Sequence, residues 1–187
     1  MPRKKTARSS NSKAERLAYR QGANTVYVES LPDRWAVQYV PDARAAVKKK
    51  LSALGEVEEL PEQRLFLLRL NETAAKTTLA EQAQELLQRG QIEFCQPVLR
   101  DEQSQLQQIP TGEISVRFKH VPSTQQLRSV EKKYGLQMVR QNEFVPSQFV
   151  VKAPAAPAEQ VLDIASQLDA EDEVEFAAPN FIAEFER

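Results

Sequence analysis

Two periodicities alternate along most of the chain. In its later part, Ile114, Val116 and Phe118 alternate with Ser115, Arg117 and Lys119, the pattern of a half-buried strand. Leu127, Val130 and Tyr134 then recur at helical spacing, with Ser123 placed as N-cap and Gly135 as a left-handed C-cap. Residues 136–140 predict a second strand, Asn142 to Ser147 with Pro146 a turn, and Gln148–Lys152 a third strand. Pro154 and Pro157 introduce a helix with Val161, Ile164 and Leu168 on one face, and residues 174–177 a fourth strand.

The earlier part repeats this order. Residues 35–40 read as a strand, Val47, Leu51 and Leu54 as a helix stripe closed by Gly55, and residues 56–60 and 65–70 as a hairpin around Pro61. Leu79, Ala83 and Leu86 mark a second helix closed by Gly90, and residues 92–98 a last strand. Ile92-Glu93-Phe94-Cys95-Gln96-Pro97 matches Val174-Glu175-Phe176-Ala177-Ala178-Pro179, and Leu54-Gly55 and Tyr134-Gly135 stand at nearly equal distances before those prolines. Landmarks in one order at matching spacing are the mark of an internal repeat.

A βαββαβ unit of about 75 residues is the split-βαβ pattern. The expected fold is therefore α+β: two tandem ferredoxin-like modules, each a four-stranded antiparallel sheet with two helices on one face. The expected boundaries are a disordered basic tail over 1–24, a first module over 25–100, a linker over 101–108 and a second module over 109–187. Residues 14–19 could alternatively form a short helix. Leu65-Phe66-Leu67-Leu68 is apolar on both parities, which predicts cover on both faces of that strand, from the neighbouring repeat or a partner.

Composition narrows function mainly by exclusion. The formal net charge is −1, with 25 Lys and Arg against 26 Asp and Glu, so no global charge draws the chain to nucleic acid or membrane. No apolar stretch approaches the ~20 residues of a membrane span, and the start lacks the apolar region of a secretory signal. A single cysteine, Cys95, excludes an internal disulfide and reads as a small core residue. These points set a cytoplasmic location as the expectation. The one histidine, His120, sits at a strand end, which leaves no Ser-His-Asp base in a catalytic setting. One His and one Cys cannot form a His/Cys metal cluster, and no phosphate-binding glycine motif is present. The expectation is a non-catalytic chain with no metal and no cofactor. Modules of this fold that bind RNA stack bases on aromatics of the open sheet face, whereas here that face carries Ser115, Arg117 and Lys119, and no RNP1-like sequence is present.

The second half also resembles the N-terminal prodomain of subtilisin-like serine proteases, of the fervidolysin-like type. The resemblance is carried by Thr111-Gly112-Glu113-Ile114-Ser115-Val116-Arg117-Phe118-Lys119, by Lys133-Tyr134-Gly135-Leu136, and most specifically by Asp172-Glu173-Val174-Glu175-Phe176-Ala177-Ala178-Pro179-Asn180-Phe181, with Glu175, Phe176, Pro179 and Asn180 as the motif. The first half matches only through the repeat and has Val98 where the second has Asn180. The resemblance implies a propeptide that helps its protease fold and inhibits it. The partner would be a subtilisin-like protease domain, in cis or in trans. The open sheet would lie on that domain, and Phe181, Ile182, Ala183, Glu184, Phe185, Glu186 and Arg187 would enter the active-site cleft as an extended strand. Glu143, in the turn between the second and third strands, would cap helix N-termini of the partner. Two other readings stay open: a protein-interaction adaptor without a protease partner, and a nucleic-acid-binding protein using the basic N-terminal arm.

Overall fold

The computed structural model describes residues 15–71 and 76–183. It is a mixed α+β chain whose strands form one nine-stranded antiparallel sheet, accompanied by four helices, in place of two separate four-stranded sheets. The first half contributes β1 (Glu15–Gln21), β2 (Asn24–Tyr39), α1 (Arg44–Ser52), β3 (Gly55–Leu60), β4 (Leu65–Leu70), α2 (Lys76–Gln88) and β5 (Ile92–Asp101). The second contributes β6 (Gln107–Phe118), α3 (Thr124–Tyr134), β7 (Gln137–Gln141), β8 (Gln148–Lys152), α4 (Ala158–Asp169) and β9 (Val174–Ala183).

The strand order carries the internal repeat into space. β5-β2-β4-β3 in one half corresponds to β9-β6-β8-β7 in the other. The two runs join because β5 pairs with both β2 and β6. The residues predicted as a linker are therefore the ends of β5 and β6 and the tight turn between them, held by Asp101, whose carboxylate accepts from Gln103 N, Ser104 N and the Ser104 hydroxyl.

The predicted tail needs a larger correction. Residues 1–14 lie outside the described part, but Glu15 to Gln21 form neither a disordered tail nor a helix. They are β1, paired along its length with β2 through Gly22, whose φ of +60° suits the turn. Leu17 and Tyr19 face inward, and Arg16 and Arg20 outward. That period-two pattern becomes stable only because β2 supplies the long-range pairing.

Each half packs its helices on one sheet face. In the second, Ile114, Val116, Phe118, Phe149 and Val151 from the sheet meet Val161, Ile164, Ala165 and Leu168 of α4, with Leu127, Val130 and Tyr134 of α3 partly buried against them. The α3 ends are as expected: Ser123 and Gln126 form a capping box, and Gly135 closes the helix at φ +66°. In the first half Val37, Tyr39, Phe66 and Leu68 meet Val47, Leu51, Leu79 and Leu86, and Cys95 packs beside them. Burial raises the Cys95 thiol to about 12, so it stays protonated and inert. Gly55 does not end α1 with a left-handed turn. It opens β3, where a Cβ would lie 1.9 Å from the Arg69 carbonyl oxygen, so close backbone approach is what demands glycine there.

The double-faced burial of β4 is borne out. Leu65, Phe66 and Leu68 are all buried, and on the face away from α1 and α2 a separate core joins Ala36, Leu65, Phe94 and Val98 to Ile109 and Ile182 of the second half. Gln96 is 4% exposed on this face and donates from Nε2 to the Ala156 carbonyl at 2.7 Å. The repeat partner thus supplies the cover.

Candidate functional site

Alternation along β6 sends Ile114, Val116 and Phe118 into the helix-covered core and leaves the opposite parity on the other face. Register defines that face. Ser115 lies opposite Ala178 of β9 and Val150 of β8, and Val150 lies opposite Arg140 of β7. Arg117 lies opposite Phe176 and Gln148, and Glu113 opposite Lys152. Among the described residues no helix covers these rows, since α3 and α4 lie on the other face. Ser115, Val150, Arg140 and the β7–β8 turn line a groove of about 400 Å³.

The β7–β8 turn is a built structure. The Asn142 carboxamide oxygen accepts from Phe144 N at 2.9 Å and Val145 N at 3.1 Å, and Gln141 Nε2 donates to the Pro146 carbonyl at 2.6 Å. This turn presents Phe144, 92% exposed, beside Glu143, which is also exposed. Val139, at the bulge in β7, is 44% exposed. Large apolar side chains left in water at one corner of a sheet mark a surface suited to a partner. Glu143 was legible in the sequence. Phe144 and Val139 were not, because exposure depends on which residues the bulge and the turn push outward.

The motif residues are spread along β6, with Glu175 and Phe176 at its end and Pro179 and Asn180 at its middle. Glu175 pairs with Arg117 at 3.0 Å, and Phe176 sits opposite Arg117 on the uncovered face. Pro179 is buried opposite Ile114. The Asn180 side chain accepts from the Ser115 hydroxyl at 2.8 Å and donates to Glu113 at 3.4 Å, and its carbonyl accepts from the Thr111 hydroxyl at 3.1 Å. Asn180 thus fastens β9 to the irregular stretch of β6 at Thr111-Gly112-Glu113, where Gly112 adopts φ +77°. Two separate segments of the sequence motif form one hydrogen-bonded cluster.

The predicted cleft segment divides. Phe181, Ile182 and Ala183 are the last rungs of β9, opposite Pro110, Ile109 and Gln108 of β6. Phe181 packs with Tyr19 at 5.7 Å between ring centroids, and Ile182 joins the core between the halves. They are tied into the sheet instead of hanging free, because β6 extends far enough back to pair with them. Glu184, Phe185, Glu186 and Arg187 lie outside the described residues.

The remaining candidates are plain. His120 is exposed just past β6. Among the described residues no group of three or more His, Cys, Asp or Glu side chains could hold a metal ion, and no helix is long and apolar enough to cross a membrane. A second cavity, about 530 Å³, lies between α3, the segment after β6 and the turn that follows α4, and is closed on one side by Glu171, which accepts from Lys133 at 2.5 Å and from the Tyr134 hydroxyl. These partners hold the Glu171 carboxyl below its ordinary value, with Lys133 the larger cause.

Two characterised relatives share sequence with this chain. It is 30% identical over 120 residues to a protein named calcium-dependent protease from Nostoc sp., and 29% identical over 120 residues to a protein of the same name from Trichormus variabilis. In both cases the match covers 64% of this chain but 18% of the relative. No protein-family model matches the chain, and no solved structure matches it. Similarity confined to a small part of two proteases is thus what the sequence relationships establish.

Proposed function

We propose that this chain is the propeptide region of a subtilisin-like serine protease, in which each half is a ferredoxin-like module and the second half is the inhibitory one. The observation that carries this reading is the uncovered face of β9-β6-β8-β7, ending in the hydrogen-bonded Glu143–Phe144 turn, in a chain similar to a limited part of two proteins named as proteases. The strand order of each half, with the fourth strand beside the first and the third beside the second, is compatible with ferredoxin-like modules.

In this reading the uncovered face packs on the protease domain, with Phe144 as apolar anchor and Glu143 at a partner helix N-terminus. Binding the folded protease and not its unfolded chain favours folding by mass action. The cleft is filled by residues after Ala183, since Phe181 to Ala183 are committed to pairing with β6. β9 delivers the chain already extended, the form required for strand addition to a substrate-binding edge.

The test is titration of the chain against a subtilisin-like protease domain from the same genome, in parallel with a chain ending at Ala183. Nanomolar inhibition by the full chain and a large loss on truncation, with unchanged thermal unfolding, are expected. Absence of inhibition by the full chain refutes the proposal, and equal inhibition by both refutes the role of the terminal residues.

A further inference from the structure

We infer that the N-terminal hairpin, β1 with the start of β2, is a clasp that belongs structurally to the second half and holds the base of its C-terminal segment in place. Its physical basis is independent of any protease, while its functional consequence rests on the reading above.

Three kinds of contact carry it. The first is apolar: Tyr19 and Val28 of the hairpin are buried with Leu99 of β5 and Leu162 of α4, and Leu17, Val26 and Phe181 pack around them. Phe181 begins the last three paired rungs of β9, and its ring lies against Tyr19. The second is polar and joins two sheet edges through α4. Arg20 N donates to the Ser166 hydroxyl at 3.0 Å, and Ala177 N of β9 donates to Asp169 at 3.0 Å. The Asp169 side chain is 3% exposed, and its other oxygen lies 3.9 Å from the Arg20 guanidinium. One backbone N–H on the edge of β1 and one on the edge of β9 are thus both satisfied by side chains of the same helix. The third is at the far end of β1, where Arg16 forms a bidentate pair with Glu102 at 2.6 and 2.9 Å, pinning it to the β5–β6 turn.

The internal repeat acts as a control. Leu86 precedes Ile92 by the same interval that separates Leu168 from Val174, so α2 and α4 can be superposed by number. Leu162 then corresponds to Ala80, which is exposed. Among the described residues nothing is clasped over the second helix of the first copy, which carries a small residue there. The second copy carries Leu162, 1% exposed under the hairpin.

The experiment is residue-resolved hydrogen exchange on the full chain and on Tyr19→Ala. Loss of the ring should raise exchange by about tenfold or more at Phe181–Ala183 and along α4, leaving α1, α2 and the β3–β4 hairpin as protected as before. Ser166→Ala removes the acceptor for Arg20 N, together with the hydroxyl's own bond to the Leu162 carbonyl within α4, and serves if Tyr19→Ala fails to fold; a smaller rise in the same places is expected. Unchanged exchange at Phe181–Ala183 in both variants, or a rise spread evenly over the whole chain, overturns the clasp. Inhibition of the protease domain by Tyr19→Ala separates the two proposals. If the segment is loosened but inhibition is unaffected, the clasp stands and the cleft-binding reading fails.

Discussion

Replacing Phe144 by serine tests the docking face most directly, because the side chain contributes little to this fold and should contribute much to a complex. Its ring is 92% exposed, and the turn that presents it is held by Asn142 and Gln141. An exposed surface substitution of this kind changes stability by no more than about 0.5 kcal/mol. Burying a phenylalanine against a partner is favourable by about 2 kcal/mol. That converts to about thirtyfold in the inhibition constant. The assay pairs urea unfolding of the isolated variant with its inhibition of the subtilisin-like protease domain. A loss of affinity near that size with an unchanged unfolding midpoint supports the docking face. If the parent chain inhibits and Phe144→Ser inhibits equally well, the β7–β8 corner is not in the interface. If the variant unfolds early, the description of Phe144 as free of its own core is wrong.

Further expectations concern the fold and its electrostatics. Gly55→Ala should destabilise by about 2 kcal/mol or more, since the new methyl meets Arg69 backbone that cannot swing away, whereas Gly90→Ala, at φ +63° with nothing within 4 Å, should cost about 1 kcal/mol of conformational strain; equal denaturation midpoints would contradict this. Ala155 holds φ +54° without glycine, so Ala155→Gly should raise the urea midpoint despite the more flexible unfolded chain, by about 0.5–1 kcal/mol, and a lowered midpoint would refute it. Glu59 accepts from both Arg44 nitrogens at 2.6 Å and from the Tyr39 hydroxyl at 2.8 Å, and the Arg44 bonds chiefly hold its carboxyl down at about 2 against an ordinary 4.5. A folded-state value below the unfolded one gives stability that is full above pH 4.5 and is lost as pH falls toward 2. Glu59→Gln should therefore show a shallower acid limb in unfolding measured from pH 6 to pH 2, and parallel limbs would exclude the pairing.

The repeat was legible because its signals are local. Ser123, Gly135, Pro61 and the stripes on α2 and α4 each specify an element from a few neighbouring residues, and from β2 onward the elements follow one another along the chain in the expected order. What depends on distant pairing was less visible. Charge dominates residues 15–21, so the Leu17/Tyr19 alternation reads weakly until β2 lies beside it. Residues 99–101 and 178–183 extend their strands beyond the predicted runs because a neighbouring strand continues past them. Gly55 was read as a helix stop from its place after Leu54, although its cause lies at Arg69, across the hairpin. Within the candidate site, Asn180 and Thr111 were recognisable as motif residues, but only the folded chain reveals that they bond to each other.

Sharing of β5 between the two copies has an evolutionary consequence. Its first rungs complete the sheet of the earlier copy, while Leu99 and Arg100 also pair with Gln108 and Gln107 of the later one. A gene fission between the copies would deprive the descendant of the later one not only of that strand but also of the hairpin contributed by the chain's beginning. Once such interlocking arose, the later copy could not be inherited alone without new residues to seal Leu162 and Phe181 from water. A duplication that produced this arrangement would act as a ratchet: it would join two units in a way that later selection could reshape but not readily undo.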